Sequence, residues 1–118
     1  MNHLSTTIGT VYTYERAIAF ADTDMSGRVH FTMVLRYVEE AEHAFFASIS
    51  EPVTCDTHGW PRVHVTCDYR SALSFGDRAT VKLVVTEVGN RSLKYCFTVD
   101  KNETLCAEGN IVIVRISK

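Results

Sequence analysis

One stretch of this sequence carries the period of a helix, and most of what surrounds it carries the period of a strand. Across residues 32 to 49 the apolar side chains Val34, Leu35, Val38, Ala41, Phe45, Phe46 and Ile49 recur mainly at intervals of three and four. That spacing gathers them into a stripe wide enough to bury a helix against a sheet. Arg36, Glu39, Glu40 and Glu42 are assigned to the opposite, polar face. Ser50-Glu51-Pro52 closes the segment, because proline disfavours helical geometry in the residue before it. Residues 10 to 20, rich in β-branched and aromatic side chains, read as a strand. A second candidate strand covers residues 62 to 70. Within residues 78 to 88, Val81, Leu83 and Val85 alternate with Thr80, Lys82 and Thr86. Leu93, Tyr95, Phe97 and Val99 line one face of the next strand, and Ala107, Gly109, Ile111 and Ile113 continue the alternation between residues 105 and 116. Gly89-Asn90 and residues 100 to 103 mark the turns. Strand, helix, then four strands is an α+β order, with one long helix packed on an antiparallel sheet of about five strands. The 118 residues make one domain, 1–118, long enough for one core and too short for two.

Composition excludes several classes of function. A net charge of −2 and the lack of any basic run leave no electrostatic footprint for nucleic acid. No apolar run reaches the length of a membrane span. The first ten residues lack the charged and apolar regions of a signal peptide, so a cytoplasmic chain is expected. Its four cysteines, Cys55, Cys67, Cys96 and Cys106, are then expected to be reduced thiols. Cys55, His58, His64 and Cys67 have a zinc-like spacing. Positions 64 and 67 of a strand point to opposite faces, however, which argues against a shared metal.

The chemistry concentrates in Phe-Ala-Asp-Thr-Asp-Met-Ser-Gly-Arg-Val-His-Phe, residues 20 to 31. Asp22 and Asp24 stand in a loop directly before the helix. Free N–H groups at a helix start can hold a developing negative charge while a carboxylate attacks or activates water, a pairing suited to acyl hydrolysis. Asp and Ser are equally ordinary turn and capping residues.

Taken with the order of the elements, this stretch resembles the hot-dog-fold acyl-CoA thioesterases of the 4-hydroxybenzoyl-CoA thioesterase family, which include the Tol-Pal-associated thioesterases. The likeness runs from Tyr14 to Ile116. It rests on the DxDxxGxV–aromatic–helix pattern at residues 22 to 31, on Pro61-Arg62-Val63, on Ser74-Phe75-Gly76-Asp77, and on the stretch Val88-Gly89-Asn90-Arg91-Ser92. It implies a hot-dog fold and hydrolysis of an acyl-CoA to carboxylic acid and free thiol. Asp24 matches the catalytic carboxylate, as nucleophile or as general base. Phe31 supplies the backbone N–H that polarises the thioester oxygen, and Gly27 permits the tight turn or close ligand approach. Asp22 is read as a brace of the loop, and His43 as a structural residue of the helix.

His30 stands where the family usually has an aromatic residue, and is read as pocket wall or as acid to the leaving thiolate. Glu39 matches an acidic helix position that reaches the distal end of the acyl group across the subunit interface; a solvated helix face is the alternative. Trp60 and Pro61 fall where the acyl pocket is shaped, although Trp60 equally suits an interface or core anchor. Asn90, Arg91 and Ser92 match a turn at the nucleotide end of coenzyme A, with Arg91 as the phosphate contact. The resemblance further implies a homodimer paired edge to edge, assembling as a dimer of dimers. It implies no metal and no cofactor, coenzyme A being part of the substrate. A non-catalytic acyl-CoA-binding module and a hot-dog hydratase or dehydratase remain the alternatives. The acyl group, and the choice between coenzyme A and a carrier protein, stay open.

Overall fold

The computed structural model describes residues 4–118; the first three residues, which entered the domain span and the reading of the N-terminus, lie outside them. Strands β1 (Val11–Ala17), β2 (His58–Gly59), β3 (Arg62–Tyr69), β4 (Arg78–Val88), β5 (Ser92–Lys101), β6 (Thr104–Val114) and β7 (Ile116–Ser117) accompany one helix, α1 (Phe31–Ser48). Five strands form an antiparallel sheet in the order β1-β4-β5-β6-β3, and β2 and β7 make a separate two-stranded ribbon. The long strands β4, β5 and β6 run as consecutive hairpins in the centre, which leaves β1 and β3 as the two edges. Among the described residues no helix is long and apolar enough to cross a membrane.

The alternation in the sequence becomes the core. Ala79, Val81, Leu83 and Val85 of β4, Leu93, Tyr95, Phe97 and Val99 of β5, and Ala107, Ile111 and Ile113 of β6 are buried. They meet Val34, Tyr37, Val38, Ala41, Phe45 and Phe46 of α1. Gly109 interrupts the β6 series for a steric reason. A Cβ there would stand 1.8 Å from the Thr66 carbonyl oxygen and 2.7 Å from the Phe97 ring. Only glycine lets β6 lie this close to β3.

Three details depart from the sequence reading. The first strand stops at Ala17, and Phe20–Asp22 winds into a 3-10 turn because the Asp22 carboxylate accepts the Ala19 N–H at 3.2 Å. The helix ends before the proline is reached. Ser50 adopts φ 57°, the Ser50 N–H donates to the Ala47 oxygen at 3.1 Å, and the Glu51 N–H donates to the Phe46 oxygen at 3.0 Å. This is a Schellman ending with serine in the place glycine usually takes.

The third departure is Glu42, assigned above to the polar face but wholly buried. Its position, four residues after Val38 and three before Phe45, lies inside the apolar stripe; the residue type, not the spacing, suggested otherwise. Tyr95 Oη donates to one carboxylate oxygen, and Arg62 Nη2 donates to the other at 2.5 Å. Arg62 Nη1 lies 3.5 Å from Glu39. The network thereby ties helix, central strand and edge strand together.

Burial pushes the Glu42 carboxyl above its ordinary range, although Tyr95 and Arg62 pull it back down. Removing one partner of such a pair typically costs about 3–5 kcal/mol, whereas replacing both by apolar residues is often neutral. Arg62→Met should therefore lower stability by about 3 kcal/mol in urea unfolding at pH 7, and adding Glu42→Met should restore most of it. A carboxyl whose folded pKa is raised favours the folded state when protonated. The Arg62→Met deficit should thus narrow as pH falls toward about 4.3, the ordinary glutamate value. A deficit constant from pH 7 to 4.5 would show that Glu42 is not the group left unpaired.

Candidate active site

Residues 18 to 30 join β1 to α1 with few buried apolar side chains, so hydrogen bonds hold them. Asp22 is the knot. Its Oδ2 accepts from Arg16 Nη1 at 2.6 Å, from Tyr37 Oη at 2.8 Å and from the Ala19 N–H at 3.2 Å. Its main-chain oxygen accepts the His30 N–H at 3.0 Å. Arg16 also donates from Nε to Glu40 at 3.2 Å and lies 4.9 Å from the centroid of the Tyr37 ring. Glu40, placed on the polar face by its type, is drawn into this network and accepts from Tyr14 as well. Burial pushes the Asp22 carboxyl upward, but the bonds from Arg16, Tyr37 and Ala19 outweigh it and leave it below its ordinary range. Asp22 braces the loop.

Asp24 is its opposite, an exposed carboxylate on the outer turn. Oδ1 accepts from the Ser26 N–H at 2.8 Å and from Ser26 Oγ at 2.5 Å. Those two bonds hold the carboxyl below its ordinary range, so it is ionised at neutral pH and within reach of water. The turn closes through Asp24 N–H to the Arg28 oxygen at 2.8 Å and Gly27 N–H to the Asp24 oxygen at 3.0 Å. Gly27 supplies the left-handed residue at φ 81°. A bridge between Thr23 and Val29 brings the two ends of the loop together, and the Val29 N–H donates to the Leu73 oxygen at 2.7 Å.

The helix begins two residues beyond that bridge. His30 is its N-cap: Nδ1 accepts the Thr32 N–H at 3.3 Å and lies 2.7 Å from Thr32 Oγ1. Its ring stacks on Phe31, with centroids 4.8 Å apart and planes 26° from parallel. The Phe31 N–H, first of the helix, has no acceptor among the described residues. It points the positive end of the helix dipole at whatever occupies the space before it. Phe31 is exposed, meets Tyr69 edge to face at 6.3 Å, and accepts the Tyr69 hydroxyl on its carbonyl at 2.9 Å. Both aromatics line a cleft of about 320 Å³ with Val29, Val34, Arg70 and Leu73. Tyr69 and Arg70 were not singled out from the sequence, where they read only as the end of a strand.

The other candidate residues lie apart from this point. Glu39 borders a second cleft, of about 240 Å³, with Leu35, Arg36, Arg62, Val65 and Ile111. It lies eight residues from Phe31, about 12 Å along the helix. Trp60 is buried against Phe46, with centroids 5.7 Å apart, and its Nε1 donates to Glu51 at 3.0 Å, so within this chain it anchors the core. Pro61 is exposed just before β3. Asn90, Arg91 and Ser92 form the β4–β5 turn at the end of the sheet opposite Asp24. β4 spans 11 residues, which separates its ends by roughly 33 Å. His43 is exposed on α1, and Cys55 with His58 lies near the C-terminal end of that helix, whereas His64 and Cys67 sit on β3.

Comparison with known proteins places the chain in a family. Residues 26–108 match the thioesterase superfamily, a span that opens two residues after Asp24. The chain is similar to the 1,4-dihydroxy-2-naphthoyl-CoA hydrolase of Synechocystis, 31% identical over 80 residues that cover 64% of this chain and 58% of that protein. It is also similar to that of Nostoc punctiforme, 29% identical over 101 residues covering 82% of this chain and 68% of that one. The crystal structure of a 1,4-dihydroxy-2-naphthoyl-CoA thioesterase from Synechocystis superposes with a TM-score of 0.84 at 26% identity, covering 92% of this chain and 83% of that one. The architecture is the hot-dog fold of these thioesterases.

The two aspartates should separate on mutation. Asp22→Ala removes the acceptor of the Tyr37 hydroxyl and the charge partner that Arg16 Nη1 meets in the loop, leaving Arg16 with Glu40 and the Ala17 oxygen. It should cost about 2–4 kcal/mol in urea unfolding. Asp24→Asn, on an exposed turn, should leave the unfolding midpoint close to that of the parent. Equal losses in the two variants would show that the loop is not held through Asp22.

Proposed function

The chain belongs to the thioesterase superfamily, and from that premise we propose that it hydrolyses an acyl-CoA thioester to a carboxylic acid and free coenzyme A. The observation that carries this reading is the pairing of an exposed, ionised Asp24 with the unpartnered Phe31 N–H at the start of α1, on one loop closed by the Thr23–Val29 bridge. In the proposed reaction the thioester oxygen faces the Phe31 N–H, which stabilises the oxyanion as it forms; one such donor is typically worth about 2.7–4 kcal/mol. Asp24 acts in one of two ways. It attacks the carbonyl, and the C–S bond breaks to leave a mixed anhydride that water then hydrolyses to the acid and free Asp24. Otherwise it takes the proton of a water that attacks the carbonyl, after which the C–S bond breaks. In both routes the coenzyme A thiolate is the leaving group, and thiolates depart readily. His30 forms the wall beside the oxyanion through its stacking on Phe31.

An aryl acyl group is the first candidate. The Synechocystis and Nostoc relatives are named for a dihydroxynaphthoyl thioester, and Phe31 with Tyr69 makes an aromatic wall for the cleft. Glu39 is proposed to face the far end of that group, and Asn90, Arg91 and Ser92 to meet the nucleotide. The last three lie too far from Asp24 to serve it within one chain, so a second protomer must bring them.

Edge strand β3 suits that assembly: Val63, Val65 and Tyr69 are exposed along it, and its outer backbone groups are unpaired by the sheet. An antiparallel β3–β3 pairing sets the Arg62 end of one chain beside the Tyr69 end of the other. The assembly proposed is a homodimer, with two dimers packing as a tetramer.

Thiol release from aryl, short-chain and long-chain acyl-CoA esters tests the activity. Asp24→Asn should reduce it about a hundredfold to ten-thousandfold; unchanged release would remove the central claim. Because the Ser26 bonds lower the Asp24 carboxyl, kcat/KM should hold its plateau down to about pH 4 and fall only below the usual aspartate value of ~3.9. An acid limb near neutrality would assign the essential ionisation to another group. Val65→Lys should yield monomers in sedimentation and lose activity with them, whereas an active dimer from that variant would place the interface elsewhere.

A further inference from the structure

A second constellation of reactive side chains lies beyond the C-terminal end of α1, remote from Asp24. The Schellman ending delivers Glu51. The following segment then doubles back, held by the Trp60 N–H to the Val53 oxygen at 3.0 Å and the Cys55 N–H to the His58 oxygen at 2.9 Å. The fold-back sets three side chains in line. Cys55 Sγ lies 3.4 Å from His58 Nδ1, and His58 Nε2 lies 2.9 Å from Glu51 Oε1. Glu51 Oε1 is itself fixed by the Trp60 indole, which donates to it at 3.0 Å. Thr57 Oγ1 bridges the pair, 3.0 Å from His58 Nδ1 and 3.4 Å from Cys55 Sγ.

The bonding sets the proton positions. Glu51 accepts on Oε1, so His58 carries a proton on Nε2 and Nδ1 is the acceptor. With Cys55 as a thiol, the thiol and the Thr57 hydroxyl compete for that one lone pair. With the proton moved to Nδ1, every group is served: the imidazolium donates to Thr57 or to sulfur, Thr57 donates to the thiolate, and Glu51 balances the charge. Nucleophile, base and orienting carboxylate thus stand in the order that activates a weak nucleophile. Hydrogen bonds from the Thr57 side chain and from the Thr57 and His58 backbones hold the Cys55 thiol below its ordinary range, and the Lys118 ammonium, anchored to Thr54 Oγ1 at 2.6 Å, acts in the same direction. Lys118 is the charged group shown to act on this thiol, and Glu51 is paired to His58 at 2.9 Å. By contrast, burial raises the thiols of Cys67 and Cys106.

We propose that Cys55, activated by His58 and Glu51, is a site of thiol–disulfide exchange with small-molecule disulfides. The Cys55 thiolate attacks one sulfur of R–S–S–R, the S–S bond breaks, and a Cys55–S–S–R bond forms. The released R–S⁻ takes the proton held on His58 Nδ1. Exchange at a disulfide needs no oxyanion donor, and the Cys55 N–H is itself committed to the His58 carbonyl at 2.9 Å.

Reduced protein mixed with oxidised glutathione between pH 5 and 9, quenched at intervals and mapped by mass spectrometry, tests this. Cys55 should be modified first. Its rate at pH 6 should exceed that of a simple thiol by about tenfold, since a lowered pKa gains thiolate faster than it loses nucleophilicity. His58→Asn should abolish the excess. Glu51→Gln, which keeps an acceptor for the Trp60 indole and so guards against a folding loss, should reduce it severalfold. Modification of Cys67, Cys96 or Cys106 ahead of Cys55, a Cys55 rate that follows a simple thiol at every pH, or a rate indifferent to both variants would each overturn the proposal. The readout is independent of thioester hydrolysis.

Discussion

The Arg16–Asp22 ion pair is the contact on which the site depends. Arg16 comes from edge strand β1, Asp22 from the loop, and Tyr37 and Glu40 from the first turns of the helix; one guanidinium and one carboxylate join all three. The pairing is largely shielded from water, with 24% and 10% side-chain exposure. It therefore counts for more than a surface pair, whose contribution is typically below about 1 kcal/mol. A loop with so little apolar surface would otherwise sample many shapes. The position of Asp24 relative to the helix start is set by a residue that has no place in the proposed chemistry.

A second buried carboxylate does related work at the other side of the helix. Glu42 joins α1 to Tyr95 in the middle of the sheet and to Arg62 at the root of β3. Placing a carboxylate in the core is unfavourable unless its oxygens are satisfied. Here both are, and the requirement fixes the height of Arg62 against the helix. Arg62 opens the edge strand along which a second protomer is proposed to pair. The register of that edge is thus tied to the same helix that carries the proposed oxyanion donor at its start.

The sequence made the architecture legible because the periods of two and of 3.6 were nearly uncorrupted. Val81, Leu83 and Val85, or Leu93, Tyr95 and Phe97, can face one way only. Where it misled, residue type had been given priority over position. Glu42 falls on the buried stripe by spacing, yet its charge assigned it to solvent. The helix stop was laid to Pro52, because a serine at φ 57° has no signature resembling the glycine that normally holds that place. The tiny strands β2 and β7 have two residues each, too short for any period to show. The loop signature led to Asp24, Gly27, His30 and Phe31, and the fold sets them along the loop closed by the Thr23–Val29 bridge and the helix start that follows it. Tyr69 joins them only through tertiary structure, 38 positions along the chain from Phe31. The Cys55–His58–Glu51 line stayed hidden because a zinc-like spacing drew attention to His64 and Cys67 instead of back across the helix end.

An exposed carboxylate with a lowered pKa is, by Brønsted reasoning, a weak base and a weak nucleophile. Enzymes that cleave poor leaving groups raise the pKa of such a residue by burying it. In the reading proposed here that tuning is unnecessary, because a thiolate departs easily and the difficult step is the development of charge on the carbonyl oxygen. What the site then needs is a dry surrounding, in which the single Phe31 N–H and the helix dipole act at low dielectric. One chain supplies only half of it: the cleft beside Phe31 and Tyr69 is open, and Asp24 faces water. In that reading closure comes from the acyl group itself and from the second protomer proposed to lie along β3. A bulky, flat acyl group would displace more water from the Phe31–Tyr69 wall than a short chain could. Acyl selectivity and rate then have the same origin, since the substrate that fills the cleft also creates the environment in which Asp24 becomes reactive.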